Sequence, residues 1–128
     1  MVRTPVARPA APPSDAAIAA KAAIRAADRL ALSARTLAQV IGVSDATVSR
    51  LKGGAAELDP QGKPFELALL FVRLYRALDA ITGGDDAVAR AWVRAPNLAL
   101  GAAPIDRIVT VTGLLDVVGY LDARRAQV

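Results

Sequence analysis

Ser33-Ala-Arg-Thr-Leu-Ala-Gln-Val-Ile-Gly42-Val-Ser44-Asp-Ala-Thr-Val-Ser-Arg-Leu-Lys52 is the stretch from which the rest of the reading follows. Ser33 is a good N-cap, and Leu37, Ala38 and Ile41 fall on one face of a short helix running from Ala34 to Ile41. Gly42 ends it, because glycine enters the left-handed conformation without a steric cost and lets a second helix leave at a steep angle. Ser44 can cap that second helix, with Val48 and Leu51 directed back to the core. Small Ala38 permits a close crossing and Val43 fills the turn. The pattern is a helix-turn-helix; a plain helical hairpin with a glycine turn is the simpler alternative.

The spacing resembles the Xre-type helix-turn-helix of phage repressors, in which the second helix enters the major groove. That resemblance implies DNA contacts from Ser44, Asp45, Ala46, Thr47, Ser49 and Arg50, with Arg35, Arg50 and Lys52 nearer phosphates. Asp45 fits a base contact poorly and suits the helix N-terminus better.

Charge supports this placement. The chain carries a formal charge of +4, but residues 1–54 hold eight basic and three acidic side chains, whereas residues 55–128 hold eight and nine. The basic excess therefore sits with the helix-turn-helix, as expected if that half meets phosphates. Thirteen of the sixteen basic residues are arginine in an alanine-rich chain, so part of the excess is compositional.

At 128 residues the chain is one domain or two very small ones. With no cysteine and no histidine it lacks thiolate nucleophiles, disulfides, the usual zinc ligands and imidazole acid-base chemistry. It also lacks a Gly-rich phosphate loop. Asp85 and Asp86 are adjacent carboxylates without a third ligand at useful spacing, and read as helix N-terminal acids. The expectation is a protein that is not an enzyme and needs no cofactor or metal. The N-terminus is too proline-rich for a signal peptide and no apolar run approaches a membrane span, which points to the cytoplasm.

In order, residues 1–13 hold four prolines among small residues and read as a flexible tail whose Arg3 and Arg8 could brush DNA. The helix-turn-helix domain is expected over 14–54, opening with a helix from Ser14-Asp15 to about Leu32 whose inner face is Ala20, Ile24, Ala27 and Ala31. Turn chemistry at Asp59-Pro-Gln-Gly-Lys-Pro64 marks a boundary. A central helix over 65–82 carries Leu67, Leu70, Phe71, Leu74, Leu78 and Ile81, an apolar face so wide that a monomer of this size can hardly cover it. Leu67, Leu70, Phe71, Leu74 and Leu78 are accordingly expected to form a homodimer interface. A last region, 85–128, starts with a short helix with Val88 and Trp92 inward. The whole chain reads as all-α.

From Trp92 the sequence runs Trp-Val-Arg94-Ala-Pro96-Asn97-Leu-Ala-Leu100-Gly101-Ala-Ala-Pro104-Ile-Asp, then Thr112-Gly-Leu-Leu-Asp-Val-Val-Gly-Tyr120-Leu-Asp. This is similar to the C-terminal toxin-binding domain of the Xre/MbcA/ParS antitoxin family. The resemblance implies an antitoxin whose partner is a RES-domain toxin, a type similar to ADP-ribosyltransferases that consumes NAD. It places the toxin contact on Trp92, Arg94, Pro96, Asn97, Leu100, Gly101, Pro104 and Tyr120, with Arg124 and Arg125 in a short basic tail. That tail is either a plug pairing with toxin carboxylates or a solvated helix end. A solitary repressor without a toxin partner would need the N-terminal half alone. In a third reading the helix-turn-helix is scaffold and does not bind DNA.

Overall fold

A computed structural model of the chain describes residues 12–127. They form seven helices: α1 (Asp15–Arg29), α2 (Ala34–Ile41), α3 (Asp45–Lys52), α4 (Lys63–Ile81), α5 (Asp86–Arg94), α6 (Pro104–Arg107) and α7 (Val111–Ala126). Arg3, Arg8 and most of the expected tail lie outside the described residues. Five helices begin on a side chain that accepts an otherwise orphaned amide: Ser14, Ser33, Ser44, Asp85 and Thr110. Two use proline in the first turn instead, α4 after Gly62 and α6 after Ala103. Among the described residues no helix is long and apolar enough to cross a membrane.

The first helix buries Ala16, Ala19, Ala20, Ala23, Ala26 and Ala27, leaving Ile24 half-buried. Alanine on the inner face lets α1 lie close to α4, since interaxial distance follows the size of the contacting side chains. The helix ends earlier than expected. Ala31 is not on the inner face: it adopts φ +55, and the Leu32 amide turns back to the Ala27 carbonyl at 2.8 Å. This is a Schellman-type end with alanine where glycine is usual.

The residues expected at a dimer interface are covered within one chain by the packing of α4. This 19-residue helix lies against α1 and α2, against α7, and near its C-terminus against α5. Phe71, Leu74 and Leu78 are 0%, 1% and 0% exposed within one chain, and Leu67 and Leu70 are half-buried against the same core. Helices from both ends of the sequence close around this wide apolar face within one chain. The outer face of α4 is Glu66, Leu69, Arg73, Arg76 and Ala80, where Leu69 is the one large apolar residue. A single apolar cluster runs from Ala16 through Val48, Phe71 and Val93 to Leu121.

Leu74→Asp is therefore expected to abolish cooperative folding of the chain itself, a loss of about 4 kcal/mol or more from an unpaired buried carboxylate. Leu69→Asp should leave the melting curve within about 0.5 kcal/mol of wild type. Thermal unfolding by circular dichroism with sedimentation checks both. A folded Leu74→Asp monomer derived from a wild-type dimer would contradict this assignment.

Candidate functional site

The helix-turn-helix is fixed from behind. Gly42 takes φ +75, and a Cβ there would stand 3.4 Å from Leu67 Cδ1 of α4, so the turn lies directly on the central helix. The amides of Gly42 and Val43 both donate to the Ala38 carbonyl, at 2.9 and 3.0 Å. Val48 is fully buried and Leu51 packs on the core from the other end of α3. Those anchors leave Ser44, Asp45, Ala46, Ser49, Arg50 and Lys52 exposed along α3, with Arg35 exposed in the first turn of α2.

Some of these side chains are held and others stand open. Ser44 Oγ accepts the Thr47 amide at 3.1 Å and shares a hydrogen bond of 2.9 Å with Thr47 Oγ1, and Arg50 donates to that same oxygen at 3.2 Å. Thr47 is half-buried in this chain of contacts, so it orients Arg50 more than it offers a free hydroxyl. Asp45 occupies the first turn of α3, where its charge complements the helix dipole.

In the C-terminal region the inward face of α5 differs from the expected one. Ala89 and Val93 are buried, whereas Val88 is exposed and Trp92 is half-exposed. The helix is rotated by about one residue, roughly 100°, so that the small Ala89 faces the core. Trp92 instead stacks on Tyr120 of α7, with ring centroids 6.1 Å apart and an interplanar angle of 22°. Pro104 is buried at the start of α6. Gly113 is required where α6 meets α7, because a Cβ there would sit 1.7 Å from the Arg107 carbonyl oxygen.

Asn97, Leu100 and Gly101 close a small loop. The Asn97 amide donates to the Ala102 carbonyl at 3.2 Å in an antiparallel bridge, and the Leu100 amide donates to Asn97 Oδ1, also at 3.2 Å. Gly101 takes φ +73, which lets the chain reverse. At the tip, beyond exposed Pro96, Leu98 is 103% exposed. Leu98 was not singled out from sequence; its signal was an aliphatic residue inside a loop bounded by Asn and Gly.

The basic tail is corrected as well. The last helix continues to Ala126, so Arg124 and Arg125 are helical and not on a loose segment. Arg124 lies over the Tyr120 ring, its guanidinium carbon 5.6 Å from the centroid, and donates to the Tyr120 hydroxyl at 3.3 Å. Arg125 lines a different surface, the groove it shares with Arg73 and Asp122.

Arg94, though exposed, reaches the backbone of the N-terminal half. Its guanidinium donates to the carbonyls of Leu30 and Ala31, each at 2.9 Å, and of Arg90 at 3.1 Å. Arg90 Nε donates to the Arg29 carbonyl at 2.8 Å. Two arginines four residues apart thus satisfy the orphan carbonyls at the end of α1. Tyr75 adds a third link, accepting from Arg29 at 3.4 Å and donating to Asp86 at 3.3 Å. Burial pushes the Tyr75 phenol up, and the hydrogen bond to Tyr75 raises Arg29. Neither Arg90 nor Tyr75 was identified from sequence; the spacing of Arg90 and Arg94 on one face of α5 was the available sign.

Among the described residues no group of three or more His, Cys, Asp or Glu assembles where a metal could be held. Comparison with known families gives two matches that between them span most of the chain. Residues 9–73 match the antitoxin Xre-like helix-turn-helix domain, and residues 77–126 match the antitoxin Xre/MbcA/ParS C-terminal toxin-binding domain. No curated protein matches the chain. The chain belongs to the Xre/MbcA/ParS antitoxin family, a family of binding proteins and not of enzymes.

Arg94 opens the Arg-x-Pro-Asn sequence inside the second match, and the geometry gives it a structural task. Arg94→Ala is expected to lower stability by about 1 kcal/mol, because it removes charge-assisted hydrogen bonds to partly exposed carbonyls that water replaces only in part. Arg94→Lys should restore less than half, since a single ammonium cannot reproduce the planar fork. Urea unfolding measures both, and an unchanged midpoint in Arg94→Ala would remove this role.

Proposed function

We propose that this member of the Xre/MbcA/ParS antitoxin family is the antitoxin of a type II toxin-antitoxin pair, that its partner is a RES-domain toxin consuming NAD, and that it represses its own operon. One observation carries the toxin-facing part of the proposal. Among the described residues six large apolar side chains are exposed, and four of them, Val88, Leu98, Val111 and Leu115, lie inside the segment that matches the toxin-binding domain. Leu98 stands out most, since nothing in the fold rewards holding a leucine wholly in water.

The chemistry of neutralisation follows from what the chain has. It brings no histidine or cysteine to the reaction, so it acts by occupying space. The loop closed by Asn97 and Ala102 is already ordered, so inserting Leu98 into a partner's cleft requires little further ordering. Burying that side chain is worth about 1.5 to 3 kcal/mol. Trp92, Tyr120 and Arg124 form a second element of the surface, a stacked cation-aromatic group on α5 and α7.

For DNA, α3 presents Asp45, Ala46, Ser49, Arg50 and Lys52 outward, with Arg50 held by Thr47. An exposed polar helix anchored by buried Val48 has the arrangement by which a second helix enters the major groove. A partner that consumes NAD and an operator of its own would place the protein in the cytoplasm.

Co-expression tests the pairing. The product of the adjacent gene in the operon should arrest growth alone, and it should co-purify with this chain and spare NAD when the two are made together. Leu98→Asp should weaken that association at least tenfold while leaving the melting temperature unchanged. A chain that copurifies with nothing but still binds its promoter is a solitary repressor.

Arg50→Ala should weaken promoter binding in a gel shift and reduce the slope of log affinity against log salt by about one. Unchanged affinity and slope would leave the helix-turn-helix as scaffold.

A further inference from the structure

The two remaining exposed apolar residues, Ile18 at 54% and Leu69 at 48%, come from different helices and converge on one groove. Its floor is Ile18 and Ala22 of α1 with Phe65, Leu69 and Val72 of α4, and it encloses about 690 Å³. A second depression of about 280 Å³ continues it along α1, sharing Ala22, Val72 and Arg76. From Ile18 to Arg29 the combined groove is about 16 Å long at the helical rise, the length of three helical turns. It shares no residue with the loop closed by Asn97 and Ala102.

The walls are basic. Arg25, Arg29, Arg73, Arg76 and Arg125 line the two depressions against two carboxylates, Asp15 and Asp122. Asp122 is already paired with Arg73, and Arg29 donates to Tyr75. Among the described residues Arg25, Arg76 and Arg125 have no carboxylate partner within ion-pair distance. An apolar floor between unpaired arginines is complementary to an amphipathic helix with acidic flanks.

Other occupants fit less well. A second copy pairing groove to groove about a twofold axis would bring the same arginines against these. The segment before the described residues carries Arg3 and Arg8 and no carboxylate. Nucleic acid would satisfy the arginines but leave the aliphatic floor unrewarded. Position separates the groove from the DNA-reading face too: α1 turns Ile18, Ala22, Arg25 and Arg29 to this groove, and Ala17, Lys21, Ile24 and Asp28 to the cleft beside Leu51 and Lys52.

We propose that the α1–α4 groove is a second protein-docking surface that takes an acidic amphipathic helix of a partner protein. The groove lies apart from the Leu98 loop, although Asp122 and Arg125 on its wall fall within the segment that matches the toxin-binding domain, and the proposal stands or falls on its own test. The probe is a labelled helical peptide of about 15 residues with a leucine stripe flanked by glutamates, titrated against the full chain by fluorescence anisotropy. A matched peptide with lysine for glutamate serves as control.

The acidic probe should bind, the basic one should bind at least tenfold more weakly, and the difference should shrink as salt rises. Leu69→Asp and the double variant Arg25→Glu with Arg76→Glu, all surface changes, should each reduce acidic-probe binding at least tenfold while retaining wild-type helicity. Failure of the acidic probe to bind, equal binding of both probes, or binding untouched by these variants overturns the proposal. Wild-type self-association lost in Leu69→Asp would assign the groove to a second copy. Displacement of the probe by a short DNA duplex, with duplex affinity reduced in the double variant, would assign it to nucleic acid.

Discussion

The contact on which the molecule depends is the close seating of α4 in a cradle of alanines and leucines. Six alanines on α1 set how near that helix approaches, and Ala68, Ala77 and Leu78 of α4 return the fit. With four per cent aromatic residues, the chain cannot fill wide interhelical gaps and instead closes them. Small side chains give little apolar area each, so the packing has to be dense to be worth anything. That requirement explains why α4 is enclosed by α1, α2 and α7 in a single chain.

The consequences reach the surface through few intermediaries. Gly42 lies on Leu67, so the turn that sets the direction of α3 is referenced to the same helix that carries the core. At the other end, Arg90, Arg94 and Tyr75 tie α5 to the end of α1. The candidate DNA face and the exposed loop at Leu98 are thus both braced by α1 and α4. Among the described residues Ala31 is the one non-glycine residue with a positive φ, a conformation that costs about 1 kcal/mol and is held by the arginine hydrogen bonds to its neighbourhood.

Local signals in the sequence were legible wherever the cause was local. Ser14, Ser33, Ser44 and Asp85 cap the helices they precede, Gly42 is left-handed, and Pro104 opens α6, because each is decided by the chemistry of a few adjacent residues. The all-α class and the helix-turn-helix followed from such signals, and the sequence motifs pointed to the antitoxin family. Trp92, Arg94, Asn97 and Gly101 were marked by that resemblance without any account of what each does.

What an amphipathic face packs against is a different kind of question. Periodicity showed that Phe71, Leu74 and Leu78 would be buried, but whether a second copy or the chain's own α1, α2 and α7 covered them depended on long-range closure. Likewise Val88 and Ala89 are neighbours with similar claims on the core, and only the position of α5 over α4 and α6 chose the smaller one. The resemblance placed Arg94 on the toxin contact; carbonyls more than sixty positions away made it a cap. Adjacent residues alone marked the helices, their capped starts and the family. The tertiary structure decided their partners, because a helix carries its own hydrogen bonds locally but its buried face is completed by residues distant in the chain.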